Sequence, residues 1–424
     1  MTDASWSKNA PDGWKYKKLK YVASFVGGGT PDKSKPEFWD GEIPWVSPKD
    51  MKAEEILDTE DHITTEGLTS SATNLVEPGA ALIVVRSGIL RHSIPVAVNR
   101  VPVALNQDMR AILPHESLDV RFLASLIRGF QTELLRQWSK EGATVESIEY
   151  DLMASTKVPI PPRTVQNGIV AYLGRETADI DALIAAKQQL LDLLAEKRRA
   201  IVAEAVMRGL DPARQLRPTG IDWLGDIPAH WEVERSRWLF RERDERSETG
   251  TEEMLTVSHI TGVTPRSEKD VNMFEAESTA GYKLCFAGDL AINTLWAWMG
   301  AMGTARVNGI VSPAYNVYTP GPRLLPDYVD ALVRIPVFAQ EVTRYSKGVW
   351  SSRLRLYPEG LFETWWPVPP LAEQQQIVEH IVAETAKIDR LRAATEHSIT
   401  LAKERRAALI AAAVTGQIDI PEAA

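Results

Sequence analysis

One long stretch occurs twice in this chain, and the duplication restricts the fold more than any other feature. The first copy runs from Pro-Ile-Pro-Pro at Pro159 to Gly209, and the second runs from Pro-Val-Pro-Pro at Pro367 to Gly416. Both contain Glu-Thr-Ala, Ile-Asp-x-Leu and Arg-Arg-Ala segments in the same order. A Trp…Pro…Trp pattern with equal spacing also occurs twice, beginning at Trp6 and at Trp223. The whole chain is therefore expected to be a duplicated unit.

Each copy predicts one long amphipathic helix. The double proline ends an extended segment, because proline fixes φ and disfavours helix in the preceding residue. Apolar residues then follow at spacings of three, four and seven, which indicates a helix that buries one stripe. A continuous helix from Val165 to Met207 would be about 65 Å long, although Gly168 and Gly174 permit a kink. Gly209 and Gly416 stand where a left-handed C-cap is expected.

The two helices are predicted to pack on each other as an antiparallel coiled coil, since neither can bury its narrow stripe alone. Two unrelated amphipathic helices in separate cores are the alternative. The basic clusters 197–199 and 405–406 lie on these helices, where they predict either partner docking or a solvated face. The predicted packing residues are Ile169, Leu173, Ile180, Leu183, Leu190, Leu194, Ile377, Ile381, Ile388, Leu391 and Leu401.

The repeat divides the chain into four predicted segments: a first globular domain at 1–157, a first helical spacer at 158–211, a second globular domain at 218–366 and a second helical spacer at 367–420. Both globular segments mix short strand-like runs with one helical run, at Val120 to Arg136 and near Pro326 to Tyr345. The predicted class is α+β: two globular domains with curved or barrel-like sheets, separated by two long helices packed as an antiparallel coiled coil, with an internal pseudo-two-fold duplication.

Composition and motifs exclude several classes of protein. A single cysteine, Cys285, excludes a disulfide framework and a cysteine-based zinc site. No apolar run is long enough for a membrane span and no export signal precedes the first domain, so a cytoplasmic protein is expected. Phosphate-loop, dinucleotide-binding and His-Glu-x-x-His motifs are absent, as is the Asn/Asp-Pro-Pro-Tyr/Phe motif of amino-methyltransferases. We therefore predict no catalytic residue and no metal site.

The helical copies are similar, whereas the globular segments have diverged. Ser139-Lys140 and Ser346-Lys347 are an exception, because they occupy the same place after the helical run in each copy. Similar spacers with different globular domains indicate that two different targets are recognised at a set separation. The net charge of −9 argues against indiscriminate nucleic-acid binding, but a local basic cleft remains compatible with it.

These residues resemble a known family. The doubled Pro-x-Pro-Pro…Gln…Ile-Asp-x-Leu…Arg-Arg pattern looks like the conserved regions of type I restriction-modification specificity subunits. Segments 28–31 and 42–47 resemble one class of their target recognition domains, and segments 288–293, 297–300, 309–315 and 346–348 resemble another. One departure is Pro-Pro-Arg-Thr-Val-Gln from Pro161, where the family usually has Pro-Pro-Leu-x-Glu-Gln.

The resemblance implies a non-catalytic subunit with two target recognition domains, each reading one half of a bipartite, asymmetric site in double-stranded DNA. It also implies that the helices set the gap and dock two modification subunits, with restriction subunits joining afterwards. No cofactor is expected in this chain; S-adenosylmethionine, ATP and magnesium would belong to the partners. A coiled-coil adaptor without DNA readout, and the recognition fragment of a fused methyltransferase or nuclease, are the alternatives.

Base edges are read by polar and basic side chains on loops, while phosphates are bound by Lys, Arg and backbone N–H groups. Each candidate can instead be solvated or packed, and Trp298 in particular can be a core residue. Lys140 and Lys347 stand out because they recur. The DNA-binding candidates are Thr30, Lys33, Lys35, Ser47, Lys49, Arg86, Ser87, Arg91, Asn106, Gln107, Arg110, Lys140 and Thr144 in the first domain, and Ser258, His259, Asn293, Trp296, Trp298, Lys347, Trp350, Ser351, Ser352 and Arg353 in the second.

Overall fold

The computed structural model describes residues 11, 13–140, 145–269, 278–348 and 354–420. The chain divides into two compact units, one comprising residues 1–188 and 397–424 and the other residues 189–396. Each unit contains one globular domain, the beginning of one long helix and the end of the other. The four segments predicted from the sequence divide the chain differently, because they separate the globular domains from the long helices. Their limits remain a prediction.

In its described residues, the first globular domain contains eleven strands and four short α-helices. The strands are β1 (Lys15–Lys18), β2 (Ala23–Gly27), β3 (Trp39–Val46), β4 (Glu55–Ile56), β5 (His62–Ile63), β6 (Leu75–Val76), β7 (Ala81–Val84), β8 (Val96–Asn99), β9 (Val103–Leu105), β10 (Met109–Pro114) and β11 (Lys157–Ile160). The helices are α1 (Thr65–Thr69), α2 (Val120–Gly129), α3 (Gln131–Trp138) and α4 (Tyr150–Ser155), after which the long helix α5 (Arg163–Arg208) begins.

The rest of the chain contains a second set of strands that is again followed by three short helices, one strand and a long helix. The strands are β12 (Leu216–Pro218), β13 (Asp226–Pro228), β14 (Glu232–Arg235), β15 (Phe240–Arg243), β16 (Leu255–Ser258), β17 (Gly262–Pro265), β18 (Lys283–Cys285), β19 (Leu290–Asn293), β20 (Met302–Thr304), β21 (Gly309–Val311), β22 (Tyr315–Pro320) and β23 (Trp365–Val368). The helices are α6 (Pro326–Val333), α7 (Pro336–Tyr345), α8 (Pro358–Phe362) and the long α9 (Leu371–Val414).

The two globular domains share one framework despite their different sequences. The main sheet of the first has the order β2-β10-β7-β8-β4, and that of the second has the equivalent order β15-β22-β19-β20. In each domain the strand that enters it pairs with the strand that carries the proline-rich segment, β1 with β11 and β14 with β23. The predicted α+β class is confirmed. The sheets are open in the described residues, so the barrel-like form is not a closed barrel.

The helical run predicted after each sheet is broken into two helices. In the first domain α2 ends at Gly129 and α3 begins at Gln131. In the second, α7 begins with Pro336 directly after the extended residue Ile335. Proline disfavours helix in the residue before it, so the sequence itself ends α6 there. Asp119 caps α2 by accepting hydrogen bonds from the N–H groups of Arg121 and Phe122.

The two long helices have the predicted extents, and Gly168 and Gly174 do not interrupt α5. Both end at a left-handed glycine, Gly209 with φ of 76° and Gly416 with φ of 71°. A Cβ on Gly416 would lie 2.3 Å from Pro11 Cγ, and a Cβ on Gly209 would lie 3.2 Å from Trp231 Cζ2. The repeated Pro and Trp residues therefore enclose the helix ends; Trp6 lies outside the described residues.

The predicted packing residues differ in burial, since seven are buried or half-buried and four are exposed. Ile169, Leu173, Leu194, Ile377 and Ile388 are buried, and Ile180 and Ile381 are half-buried. Leu183, Leu190, Leu391 and Leu401 are instead 36–50% exposed. Ile184, Leu191 and Ala402 directly follow three of these leucines and are more buried. One residue turns the helix by about 100°, so these leucines lie beside the buried face.

Within each unit the two helix segments run antiparallel. In the first unit, the start of α5 shares a hydrophobic core with the end of α9, and further along α5 Asp181 accepts a 2.8 Å hydrogen bond from Arg406. In the second unit Val206 and Ile377 share a core, and Arg198 lies 3.6 Å from Asp389. Arg406 also binds Glu54 at 2.6 Å, so this arginine of the predicted basic cluster is engaged inside its own unit.

Candidate nucleic-acid interfaces

In the first unit, loops at one end of the main sheet bring candidate residues together. The Thr30 hydroxyl is hydrogen-bonded to the Gln107 side chain. The backbone N–H of Arg86 donates to Asp108 O at 3.3 Å, and that of Lys140 donates to Ser147 O at 2.9 Å. A backbone bridge between Arg86 and Ser147 joins the two loops. We call this group the first rim, and its members are Thr30, Arg86, Arg91, Gln107 and Lys140.

The glycine run before the first rim lies close to the backbone of its own domain. A Cβ on Gly28 would lie 2.0 Å from Asn106 O, which no other side chain would permit. The N–H of Gly29 donates to Leu105 O at 2.8 Å, and the indole N–H of Trp45 donates to Gly29 O at 3.1 Å. The glycines therefore fix the loop that carries Thr30, and their close contact is with the domain rather than with a ligand.

Each cation of the first rim lies beside a carboxylate. Arg91 binds Glu146 at 2.5 Å, whereas Arg86 lies 3.9 Å from Asp108 and Lys140 lies 3.9 Å from Glu149. The hydrogen bond to Glu146 raises the pKa of Arg91, and the same bond lowers the pKa of Glu146. Exposed pairs of this kind are weak. Arg86 and Lys140 are thus the least tightly paired cations of the first rim.

Several other candidates of the first domain are engaged within it. The buried Ser47 hydroxyl donates to Asp50 at 2.8 Å, and the buried Asn106 accepts from the N–H of Asp108 at 2.5 Å. Lys49 binds Asp61 at 2.8 Å, a hydrogen bond that raises the pKa of Lys49. Ser47 and Asn106 thus shape their loops from inside the domain, whereas Lys49 is paired but exposed.

The remaining first-domain candidates occupy varied positions. Lys33 and Lys35 are exposed, with the Lys35 ammonium 4.9 Å from the ring centre of Phe38. Ser87 caps the short turn after it. The Arg110 guanidinium lies 4.8 Å from the ring centre of Tyr150. Thr144 lies outside the described residues.

In the second unit, four candidates line one cavity of about 500 Å³, which we call the Trp296 cavity. Ser258 and His259 come from the end of β16, while Asn293 and Trp296 come from the end of β19 and the turn after it. Its lining residues are Met254, Leu255, Thr256, Val257, Ser258, His259, Arg266, Lys269, Thr279, Tyr282, Asn293, Trp296, Ala301, Ser312 and Tyr315.

A tight turn holds Trp296 at this cavity. Its N–H donates to Asn293 O at 3.0 Å, and its carbonyl accepts from the N–H of Ala301 at 3.1 Å. Gly300 closes the turn with φ of 86°. Asn293 Nδ2 donates to the Tyr315 hydroxyl at 3.1 Å. The sequence analysis missed Tyr315, although the tyrosine lies in the segment 309–315 that carried the resemblance.

The recurring lysines occupy equivalent loops. Lys347 exchanges two backbone hydrogen bonds of 2.9 Å with Arg355, just as Lys140 pairs with Ser147 in the first unit. Arg355 was not predicted, and its guanidinium donates to Thr294 at 3.2 Å. Trp298 is half-buried and donates to Leu295 O at 3.0 Å, which agrees with a packing role. Trp350, Ser351, Ser352 and Arg353 lie outside the described residues.

Comparison with known proteins shows which family and which relatives this chain resembles. Residues 11–192 match the family described as type I restriction modification DNA specificity domain. The predicted resemblance to specificity subunits is therefore confirmed. The chain is also 41% identical over 161 residues to the specificity subunit of the type I restriction enzyme EcoR124I/EcoR124II of Escherichia coli, over 38% of this chain and 40% of that protein.

A second relative of the specificity family is more distant. The specificity subunit of the type I restriction enzyme MjaIX of Methanocaldococcus jannaschii is 27% identical over 232 residues, which are 53% of this chain and 51% of that protein. The chain thus matches about half the length, or less, of these curated relatives. No helix in the described parts of the chain is both long and apolar enough to cross a membrane.

Solved structures extend the likeness in fold to nearly the whole chain. One match is a structure from work on the structural basis of complex assembly and conformational transition of the type I R-M system. The match covers 97% of this chain and 100% of that chain, with a TM-score of 0.64 and 17% identity. The HsdS subunit from Thermoanaerobacter tengcongensis covers 97% of this chain and 98% of its own, with a TM-score of 0.50 and 16% identity. The duplicated two-domain fold is that of these proteins.

Proposed function

We propose that this chain is the DNA-sequence-specificity subunit of a type I restriction-modification enzyme. Each globular domain reads one half of a bipartite, asymmetric site in double-stranded DNA. The observation that carries the proposal is that one framework presents two different sets of side chains. The first rim offers an amide and cations, whereas the equivalent end of the second domain offers tryptophan beside a cavity. Identical surfaces would instead fit a site with two identical halves.

The long helices set the gap between the half-sites and dock two modification subunits, and restriction subunits join afterwards. Leucines on the outer faces of the helices support this role, because exposed apolar side chains are typical of protein interfaces. Leu193 is 61% exposed. The change Leu193→Asp should leave the chain folded and weaken the complex with the modification subunit in a pull-down assay. Undiminished binding would exclude this face as the docking surface.

The chemistry of modification and cleavage is assigned to the partners. The chain itself is non-catalytic, and methyl transfer from S-adenosylmethionine belongs to the modification subunits. Cleavage driven by ATP with magnesium belongs to the restriction subunits. A purified complex without restriction subunits should therefore methylate DNA and leave it uncut.

The decisive experiment is selection of DNA from a random-sequence library by the chain co-expressed with its modification subunit. Sequencing of the retained DNA should give a bipartite motif with a fixed gap. Retention without sequence preference, or no retention, would favour a coiled-coil adaptor that does not read DNA.

Exchange of residues 15–157 for the first domain of another family member tests the modular arrangement. The exchange should change one half of the selected motif and leave the other half and the gap unchanged. A matched chain in which both long helices are extended by one turn should keep both halves and alter the gap. A change in both halves after the exchange would refute separate reading by each domain.

A further inference from the structure

The Trp296 cavity has a shape that readout of base edges does not require. Readout in a groove uses side chains that project from the protein towards stacked base pairs. This site is concave instead, and its volume of about 500 Å³ lies within the range of small-ligand pockets. The cavity therefore has room for a whole base rather than for the edge of one.

An aromatic platform stands at the cavity. Trp296 is 50% exposed although its backbone is held by the turn after β19. Bases stack on the faces of aromatic side chains irrespective of their sequence, because every base has a π-face. A half-exposed tryptophan on a hydrogen-bonded turn, beside apolar walls from Leu255 and Val257, suits a base that has left the helical stack.

A polar pair also lines the cavity. The Tyr315 hydroxyl accepts a hydrogen bond from Asn293 Nδ2, so its own hydrogen remains available for an acceptor. Burial raises the pKa of Tyr315 above its ordinary value. Asn293 Oδ1 has no hydrogen-bond partner among the described residues. Donor and acceptor groups of this kind complement the polar edge of a base.

The charges at the cavity favour an anion. Arg266 and Lys269 line it, and none of the lining residues in the described part of the chain is a carboxylate. Burial lowers the pKa of Lys269, and a bound anion would offset this effect by favouring the charged form. Phosphate is the anion that accompanies a base in DNA, and it forms strong hydrogen bonds with Arg and Lys.

We propose that the Trp296 cavity binds one unstacked nucleotide. The base stacks on Trp296, its polar edge meets the Asn293–Tyr315 pair, and its phosphate binds Arg266 and Lys269. The proposal rests on the proposed function in taking the nucleotide from the DNA half-site. A free mononucleotide has the same chemistry, and the experiment separates these two sources.

The first arm scans mismatches across both half-sites with the complex of this chain and its modification subunits. An extruded base binds more tightly when its partner is mismatched, because less pairing is lost. One position should therefore gain roughly tenfold in affinity. Trp296→Ala should abolish the gain. Tyr315→Phe, which removes only the hydroxyl, should reduce the preference for one base at that position.

Trp238→Ala is the matched control, because Trp238 is 75% exposed in the same unit and does not line this cavity. The Trp238→Ala variant should keep the gain in affinity for mismatched DNA. A base that the modification subunit itself extrudes would give the gain in affinity for mismatched DNA in every variant. Only a gain that is lost in Trp296→Ala supports the proposal.

The second arm measures binding of the four deoxynucleoside monophosphates to the same complex by equilibrium dialysis. Binding that is lost in Trp296→Ala, without a gain in the mismatch scan, would assign the cavity to a free nucleotide. Absence of any effect that depends on Trp296 in both arms would overturn the proposal. If sequence-specific binding persists in that case, the proposed function stands without the nucleotide site.

Discussion

The connection between the third and fourth strands of the main sheet differs sharply between the two domains. Between β7 and β8 it carries Arg86 and Arg91, whereas between β19 and β20 it carries Trp296 and Trp298. The strands on either side occupy equivalent places in equivalent sheets. One framework thus carries cations in one domain and indole rings in the other, and the side chains of this connection can change while the sheet stays the same.

The attachment of each domain to its long helix shows the opposite behaviour. Gln166 Oε1 accepts from the N–H of Asp119 at 2.7 Å, and its Nε2 donates to Ser117 O at 2.9 Å and Pro161 O at 2.8 Å. In the second copy Gln374 makes the same three bonds, each of 2.8 Å, to the backbone of Leu325, Arg323 and Pro369. Both glutamines are fully buried. The orientation of each domain on its helix is therefore set by an identical joint.

The largest expected effect comes from breaking these joints. Gln166→Leu or Gln374→Leu would leave three buried backbone groups without partners, at a cost of about 1–3 kcal/mol each. We expect each change to lower the free energy of unfolding by about 3 kcal/mol or more, measured by urea unfolding followed by tryptophan fluorescence.

Gln375→Leu is the control for the second joint, because Gln375 is exposed and adjacent to Gln374. It should change the stability by no more than about 0.5 kcal/mol. Very different losses for Gln166→Leu and Gln374→Leu would show that the two joints are not equivalent.

The two helix ends should differ more than the two joints do. Alanine in a left-handed conformation costs about 1–2 kcal/mol at either Gly209 or Gly416. At Gly416 the new Cβ would also lie 2.3 Å from the ring of Pro11, whereas at Gly209 the nearest atoms, Glu373 Oε1 and Trp231 Cζ2, lie at 3.1 and 3.2 Å. Gly416→Ala should therefore cost about 1–3 kcal/mol more than Gly209→Ala, as measured by thermal unfolding. Equal costs would contradict the closer packing at Gly416.

Some features of the two repeats could be predicted from the sequence and others could not. The repeat predicted both long helices and their glycine caps, because periodicity and capping are local properties. Leu183 and Leu401 of the predicted stripe are about half exposed, because hydrophobicity alone does not show that the buried face passes through the next residue. Gln166 and Gln374 were visible as repeated residues, but their role depends on backbone groups from distant segments.

The candidate site was less predictable for the same reason. Ser47 and Asn106 have the side chains that read DNA, yet both are consumed by hydrogen bonds that hold their own loops. Tyr315 lines the Trp296 cavity only because β22 lies beside β19. Such neighbours are decided by strand pairing across the domain, which no local pattern in the sequence specifies.

The smallest expected effect tests the contrast between the two connections. A phosphate contact contributes about 0.9 to the slope of log affinity against log salt, so Arg86→Ala should lower that slope by about one. Between 50 and 200 mM salt, the variant should then lose roughly threefold less affinity than the unmodified chain. Trp296→Ala should weaken binding at every salt concentration and leave the slope unchanged, because stacking releases no counterions. Equal slopes for Arg86→Ala and the unmodified chain would place Arg86 away from the phosphates. The connection between β7 and β8 would then differ from that between β19 and β20 in sequence, but not in its contribution to the salt dependence of DNA binding.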